Sequence, residues 1–206
     1  ALPDDPEATI ALVFDELGQI AADVISGIVS ALESISAFLD RNADTVGDIA
    51  AALAITTAVH QQRIGQPNTH PYRRFVADLD MAAVLREAGR LDEANTLLDG
   101  IDPKAVGANA WQLGWVALER GRLAAARGDL ALALSTFEAA EAQLASGLGA
   151  DHPDAWLAKL DRAAALARSG QRREAAQLAR EIAARAAPSI APDGEWARRL
   201  AALTQR

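Results

Sequence analysis

A chain of 206 residues, half of them apolar and 23% charged, has enough hydrophobic surface to bury a sizeable core, so a folded protein is expected rather than a disordered one. It contains no cysteine, so disulfides, thiolate chemistry and cysteine-ligated metals are excluded together. A net charge of −8 repels phosphates, and with no base-reading motif present a nucleic-acid partner is not expected.

Taken in chain order, residues 1–33 predict an acidic amphipathic helical segment. Ile10, Phe14, Leu17, Ala21, Val24, Ile28, Ala31, Ile35 and Phe38 alternate steps of four and three, which is a heptad seam. Such a seam needs a cover. Packing on the next helices as a cap is one reading, and self-association through this helix or docking of another helix is the second. Residues 1–40 hold eight acidic side chains and no Lys, Arg or His. The apolar runs "VISGIVSAL" and "IAAALAITTAV" stop after nine and eleven residues, too short for a membrane span. The chain starts at Ala rather than Met and shows no basic, apolar signal segment. A cytoplasmic location is the expectation, and a processed form or a piece of a longer protein fits the same sequence.

Beyond residue 40 the chain repeats itself. Shifting by 81 positions lays "WLAKLDRAAALARSGQRREAAQLAREI", from Trp156, over "FVADLDMAAVLREAGRLDEANTLLDGI", from Phe75; Asp161 falls on Asp80, Gly170 on Gly89 and Ala175 on Ala94. The same shift lays Gly128, Asp129, Ala133 and Leu134 over Gly47, Asp48, Ala52 and Leu53. Gly47, Gly89, Gly128 and Gly170 each precede an Ala by five residues, at spacings of 42, 39 and 42, and are expected in turns between two helical patterns. Ala, Leu, Arg, Glu and Gln dominate, and prolines fall between the helical stretches, as in "HPD" from His152. A period near 40 predicts stacked helical pairs, each covering the apolar face of its neighbour.

Those residues resemble the tetratricopeptide repeat, of the kinesin-light-chain-like variety common in bacterial proteins, over roughly residues 34–187. The resemblance implies an all-α, right-handed α-solenoid of about four hairpins, at about 34–66, 71–104, 108–147 and 152–187, with a capping helix at 193–206. It implies small residues where helices cross: Ala82, Gly121 and Ala163 on first helices, and Ala52, Ala94, Ala133 and Ala175 on second helices. Phe137 and Leu98 would be the large packing residues. Asp78, Arg120, Lys159 and Arg162 stand where the pattern expects apolar side chains, and Asp40 takes a small-residue position.

No catalytic constellation accompanies these repeats: there is no Gly-rich loop after a strand, no GxSxG and no HExxH. Neither an enzyme, a cofactor nor a metal site is expected. His60, His70 and His152 lie far apart, and the last two belong to the turn grammar of the repeat. Trp111, Trp115 and Leu118 form one stripe; Trp156 opens the fourth repeat and Trp196 lies in the terminal helix. From Leu157 onward ten basic residues face five acidic ones, a net of +5, which predicts a solvated arginine face or a site for acidic peptide or head-to-tail contact. The family arrangement implies a concave surface lined by Arg86, Trp115, Leu118, Arg122, Leu160 and Arg168. It would bind a protein or peptide that brings acidic and apolar residues. The expected function is therefore a binding scaffold or adaptor, and the alternative is the regulatory tail of a larger bacterial signalling enzyme or transcription regulator.

Overall fold

The computed structural model describes residues 46–65, 70–102, 109–186 and 194–204. The chain divides into two compact units, Ala1–Asp48 and Ile49–Arg206, and nearly all the described residues belong to the second. The N-terminal heptad segment and Asp40 lie outside the described residues.

The described chain is all-helical, with eight helices: α1 Val46–Ile64, α2 Pro71–Glu87, α3 Leu91–Gly100, α4 Ala110–Arg127, α5 Leu130–Leu148, α6 Pro153–Arg168, α7 Arg172–Ala186 and α8 Glu195–Thr204. None of them is long and apolar enough to cross a membrane.

Local chemistry explains where these helices start and stop. Pro71 and Pro153 open α2 and α6, where a missing N–H costs nothing. The histidine before each proline is a helix cap: Nδ1 of His70 accepts from the Tyr72 backbone N–H, and Nδ1 of His152 from that of Asp154, each at 3.2 Å. Asp129 caps α5 by accepting from the Leu132 N–H at 3.0 Å. At the start of α4, Gln112 Oε1 accepts from the Asn109 N–H at 2.8 Å, one half of a capping box.

The recurring glycines make one turn three times. Gly89, Gly128 and Gly170 have φ of 73°, 83° and 89°, a conformation that suits glycine because it has no Cβ. In each case the next residue donates to a carbonyl five positions back: Arg90 to Leu85, Asp129 to Ala124 and Gln171 to Leu166, at 2.8–3.0 Å. This is the Schellman closure, and it folds α2 onto α3, α4 onto α5 and α6 onto α7. Gly47 departs from the expectation. It lies in the first turn of α1, so the first copy of the glycine does not mark a turn.

Beyond these hairpins, α3 packs on α4, α5 on α6 and α7 on α8, while α2, α4, α6 and α8 touch one another in succession. The core follows the same order. One cluster joins Phe75, Leu79 and Leu85 of α2 and Leu98 of α3 to Val116 and Leu123 of α4. A second joins Leu118 of α4, Phe137 and Leu144 of α5 and Ala158 of α6. The third joins Leu160 of α6 and Ile182 of α7 to Leu200 of α8. No hairpin buries its apolar face alone; the next first helix completes it.

The small and large residues expected at crossings are buried among the described residues. Ala52, Ala82, Ala94, Ala133, Ala163 and Ala175 are at most 4% exposed, as are Leu98 and Phe137. The tightest crossing is α4 on α5. A Cβ at Gly114 would fall 2.6 Å from Leu144 Cγ, and one at Gly147 would fall 2.7 Å from the Trp111 backbone nitrogen.

Candidate functional site

Charged residues of neighbouring helices pair with one another, in one separate pair and one connected series. Arg63 of α1 lies 3.6 Å from Asp80 of α2. Arg86, also of α2, reaches Glu119 of α4 at 3.4 Å. Glu119 also pairs with Arg122, three residues along the same helix, and Arg122 contacts Asp161 of α6 at 2.7 Å. Asp161 in turn holds Arg199 of α8. The ladder thus links α2, α4, α6 and α8 through charges of alternating sign. Its side chains are neither sealed nor free: Asp161 is 9% exposed, Glu119 11% and Arg199 28%.

Two of these groups, Asp80 and Arg122, are shifted from their ordinary ionisation. Asp80 is pushed up to about 6, first by burial and further by the nearby Glu119 carboxylate, against the opposing pull of Arg63. Burial pulls the Arg122 guanidinium down, but Glu119 and Asp161 outweigh it and hold the group above its ordinary value. Arg122 is therefore a fixed cation clamped between two acids.

An aromatic corner adjoins the N-terminal ends of α2 and α4. Trp111 and Trp115 meet edge to face with centroids 5.0 Å apart, Tyr72 meets the Trp111 edge at 6.2 Å, and Tyr72 stacks on Phe75 at 6.1 Å. Trp115 is half-buried and its Nε1–H donates to Asp154 Oδ2 at 2.8 Å, tying the corner to the start of α6. Rings held this way keep an apolar face at low conformational cost.

Against the residues expected from sequence, Arg86 and Arg122 come together through Glu119, and Trp115 lies on the same helix as Arg122. Leu118 and Leu160 belong to the core, 4% and 0% exposed, and support the surface from beneath. Arg168 does not join the ladder. It is exposed at the end of α6 and donates to the Ala125 carbonyl at 2.8 Å. The three arginines therefore form no continuous positive row: two of them are neutralised by acids.

Sequence reasoning missed Glu119, Asp161 and Arg199 as members of this surface. Two signals were available, the three-residue spacing of Glu119 and Arg122 and the recurrence of Asp80 as Asp161 one period later. The charges at expected apolar positions have partners of their own. Asp78 bonds His60 at 2.7 Å, Lys159 bridges Glu141 and Glu181 at 3.2 and 2.9 Å, and Arg162 reaches Glu141 at 3.4 Å. Arg120 donates to the Leu98 carbonyl at 3.1 Å and to Asp99 at 3.3 Å. Among the described residues no cluster of three or more acidic or imidazole groups could hold a metal ion.

Compared with family models, with curated proteins and with solved structures, the chain matches none.

Proposed function

We propose that this chain is a protein- or peptide-binding module, built as a right-handed α-solenoid of hairpins similar to tetratricopeptide repeats. The observation that carries the reading is the unbroken succession of first helices α2, α4, α6 and α8, whose adjoining faces expose half-buried charges and aromatic rings instead of a closed core. Three identical glycine turns and small side chains at the crossings support a repeated hairpin as the building unit. On this reading the binding surface uses Trp115, with Trp111 and Tyr72 beside it, as an apolar anchor site. Arg86 and Arg122 confer choice of partner, because an incoming carboxylate must compete with Glu119 and Asp161 for them. Leu118 and Leu160 act by holding those residues in place.

The test is affinity capture with quantitative mass spectrometry, using wild type, Trp115→Ala and Arg86→Ala as parallel baits. A partner retained by wild type and depleted at least about tenfold on both folded variants is expected for anchors at such a surface. If every captured protein binds the variants equally well, the first-helix face is not the binding surface.

A further inference from the structure

Most of the described arginines have a carboxylate partner, and those that lack one are concentrated near the C-terminal end. Arg63, Arg86, Arg90, Arg122, Arg127, Arg185 and Arg199 all make close ion pairs. Around the turn from α6 to α7 the pattern fails. Arg168 closes α6 on a backbone carbonyl, while Arg172 and Arg173 begin α7 and are exposed with no acidic partner among the described residues. Arg180, two turns beyond Arg173 on the same helix face, is also exposed and unpaired.

The corresponding turns earlier in the chain show what is missing. Arg173 occupies, one 81-residue period later, the position of Asp92, and Asp92 pairs with Arg127 at 2.6 Å at the end of the next first helix. Arg90 at the start of α3 is likewise held by Glu93. At the last turn an acid has become a base, and the base faces no acid. Moreover, Arg172 and Arg173 sit at the N-terminal, positive end of the α7 dipole, where cations oppose the helix and anions support it. An anionic partner would relieve both conflicts at once.

The geometry points to a docking surface at the α6–α7 turn, formed by Arg168, Arg172, Arg173 and Arg180, whose occupant is the acidic N-terminal segment of a second copy of this chain. Charge complementarity selects that occupant. Residues 1–40 hold eight carboxylates, among them Asp4, Asp5 and Glu7, and no basic side chain, while the α6–α7 turn and α7 present four guanidiniums without a carboxylate partner among the described residues. The two surfaces differ, so each contact joins the segment of one copy to the α6–α7 turn of another. This inference does not depend on what the first-helix face binds.

Sedimentation velocity of the full chain tests it. Association should rise with protein concentration and fall about tenfold as NaCl is raised from about 50 to 300 mM, because exposed charges are screened beyond a few ångströms. The triple variant R168E/R172E/R173E should be monomeric with unchanged helical circular dichroism, since acids at the start of α7 favour the helix. The variant D4K/D5K/E7K should also lose self-association, and mixing the two variants should restore a complex, because the first keeps the native acidic segment and the second the native arginines. A monomeric wild type at all concentrations would overturn the inference, and so would a triple variant that associates like wild type. If the triple variant is monomeric while D4K/D5K/E7K still associates, the segment is not the occupant and the assignment fails.

Discussion

The ring of Phe137 lies directly over Gly121, so that a Cβ added to the glycine would come within 2.6 Å of ring atoms Cδ1 and Cε1. Phe137 is 2% exposed, so the ring can yield only by displacing its core neighbours. Gly121→Ala should therefore destabilise by about 1 kcal/mol net, the overpacking cost exceeding the helix-propensity gain of about 1 kcal/mol. Thermal melts of Gly121→Ala, Phe137→Leu and the double variant check it. The smaller side chain should make the alanine stabilising, and purely additive effects would show that the ring is not the obstacle.

Ala133 and Ala175 occupy equivalent crossings in α5 and α7, at 0% and 1% exposure. Replacing either by Leu should cost about 1–3 kcal/mol, measured by urea unfolding with unchanged m-value. An unaltered midpoint would mean that the site opens without strain.

Asp161 accepts from Arg122 and Arg199 on two different helices, and its loss removes the shared acid of both half-buried cations, leaving Arg122 with Glu119 alone. Asp161→Ala should cost about 2–4 kcal/mol, toward the range for a broken buried pair. Asp161→Asn should recover a fraction of this by hydrogen bonding. If both variants melt with wild type, the ladder is a solvated surface pair with little energetic weight.

Asp80 binds its proton more tightly in the folded chain, with a value of about 6 against 3.8, so its protonation stabilises the fold. That contribution is fully present below about pH 4 and is lost as pH rises through about 6. At pH 7 the ionised carboxylate is a penalty, and Asp80→Asn should raise stability by about 1–3 kcal/mol, with the advantage gone at pH 4. Unfolding curves of both proteins at the two pH values measure it; an asparagine variant less stable than wild type at pH 7 would mean that Arg63 outweighs burial.

The cap at His152 gives a fourth kind of test. His152→Ala removes the acceptor for the Asp154 N–H and should cost about 0.5–1.5 kcal/mol, while His152→Asn should keep most of that stability. Equal loss in both variants would show that the imidazole contributes through packing instead of capping.

The hairpins were legible because their determinants are local. A glycine that must take positive φ, a proline that can open a helix and an alanine that permits close approach each leave a mark at a fixed offset, and the 81-residue shift of Trp156 onto Phe75 lines those marks up. Gly47 shows the limit, for the same letter also fits the first turn of a helix. The ladder was harder to see. Whether Arg122 is free or clamped depends on Glu119 beside it and on Asp161, 39 residues away, and pairing at that distance is fixed by how helices pack rather than by any local preference. The family arrangement groups Arg168 with Arg86 and Arg122, yet it stands at a helix end, where backbone carbonyls compete for the guanidinium.

Because each apolar cluster is sealed by the following first helix, damage should travel along the molecule in stages. Removing α8 uncovers Trp156, Leu166 and Ile182 around Leu200, but leaves the packing of Phe75 on Leu98 and Val116 intact. Amide hydrogens should therefore exchange in a gradient, fastest in α8 and α7 and slowest where α4 and α5 are pressed together by their glycines. Linked chiefly through neighbours, a hairpin together with the helix that follows it is the smallest piece that closes an apolar cluster.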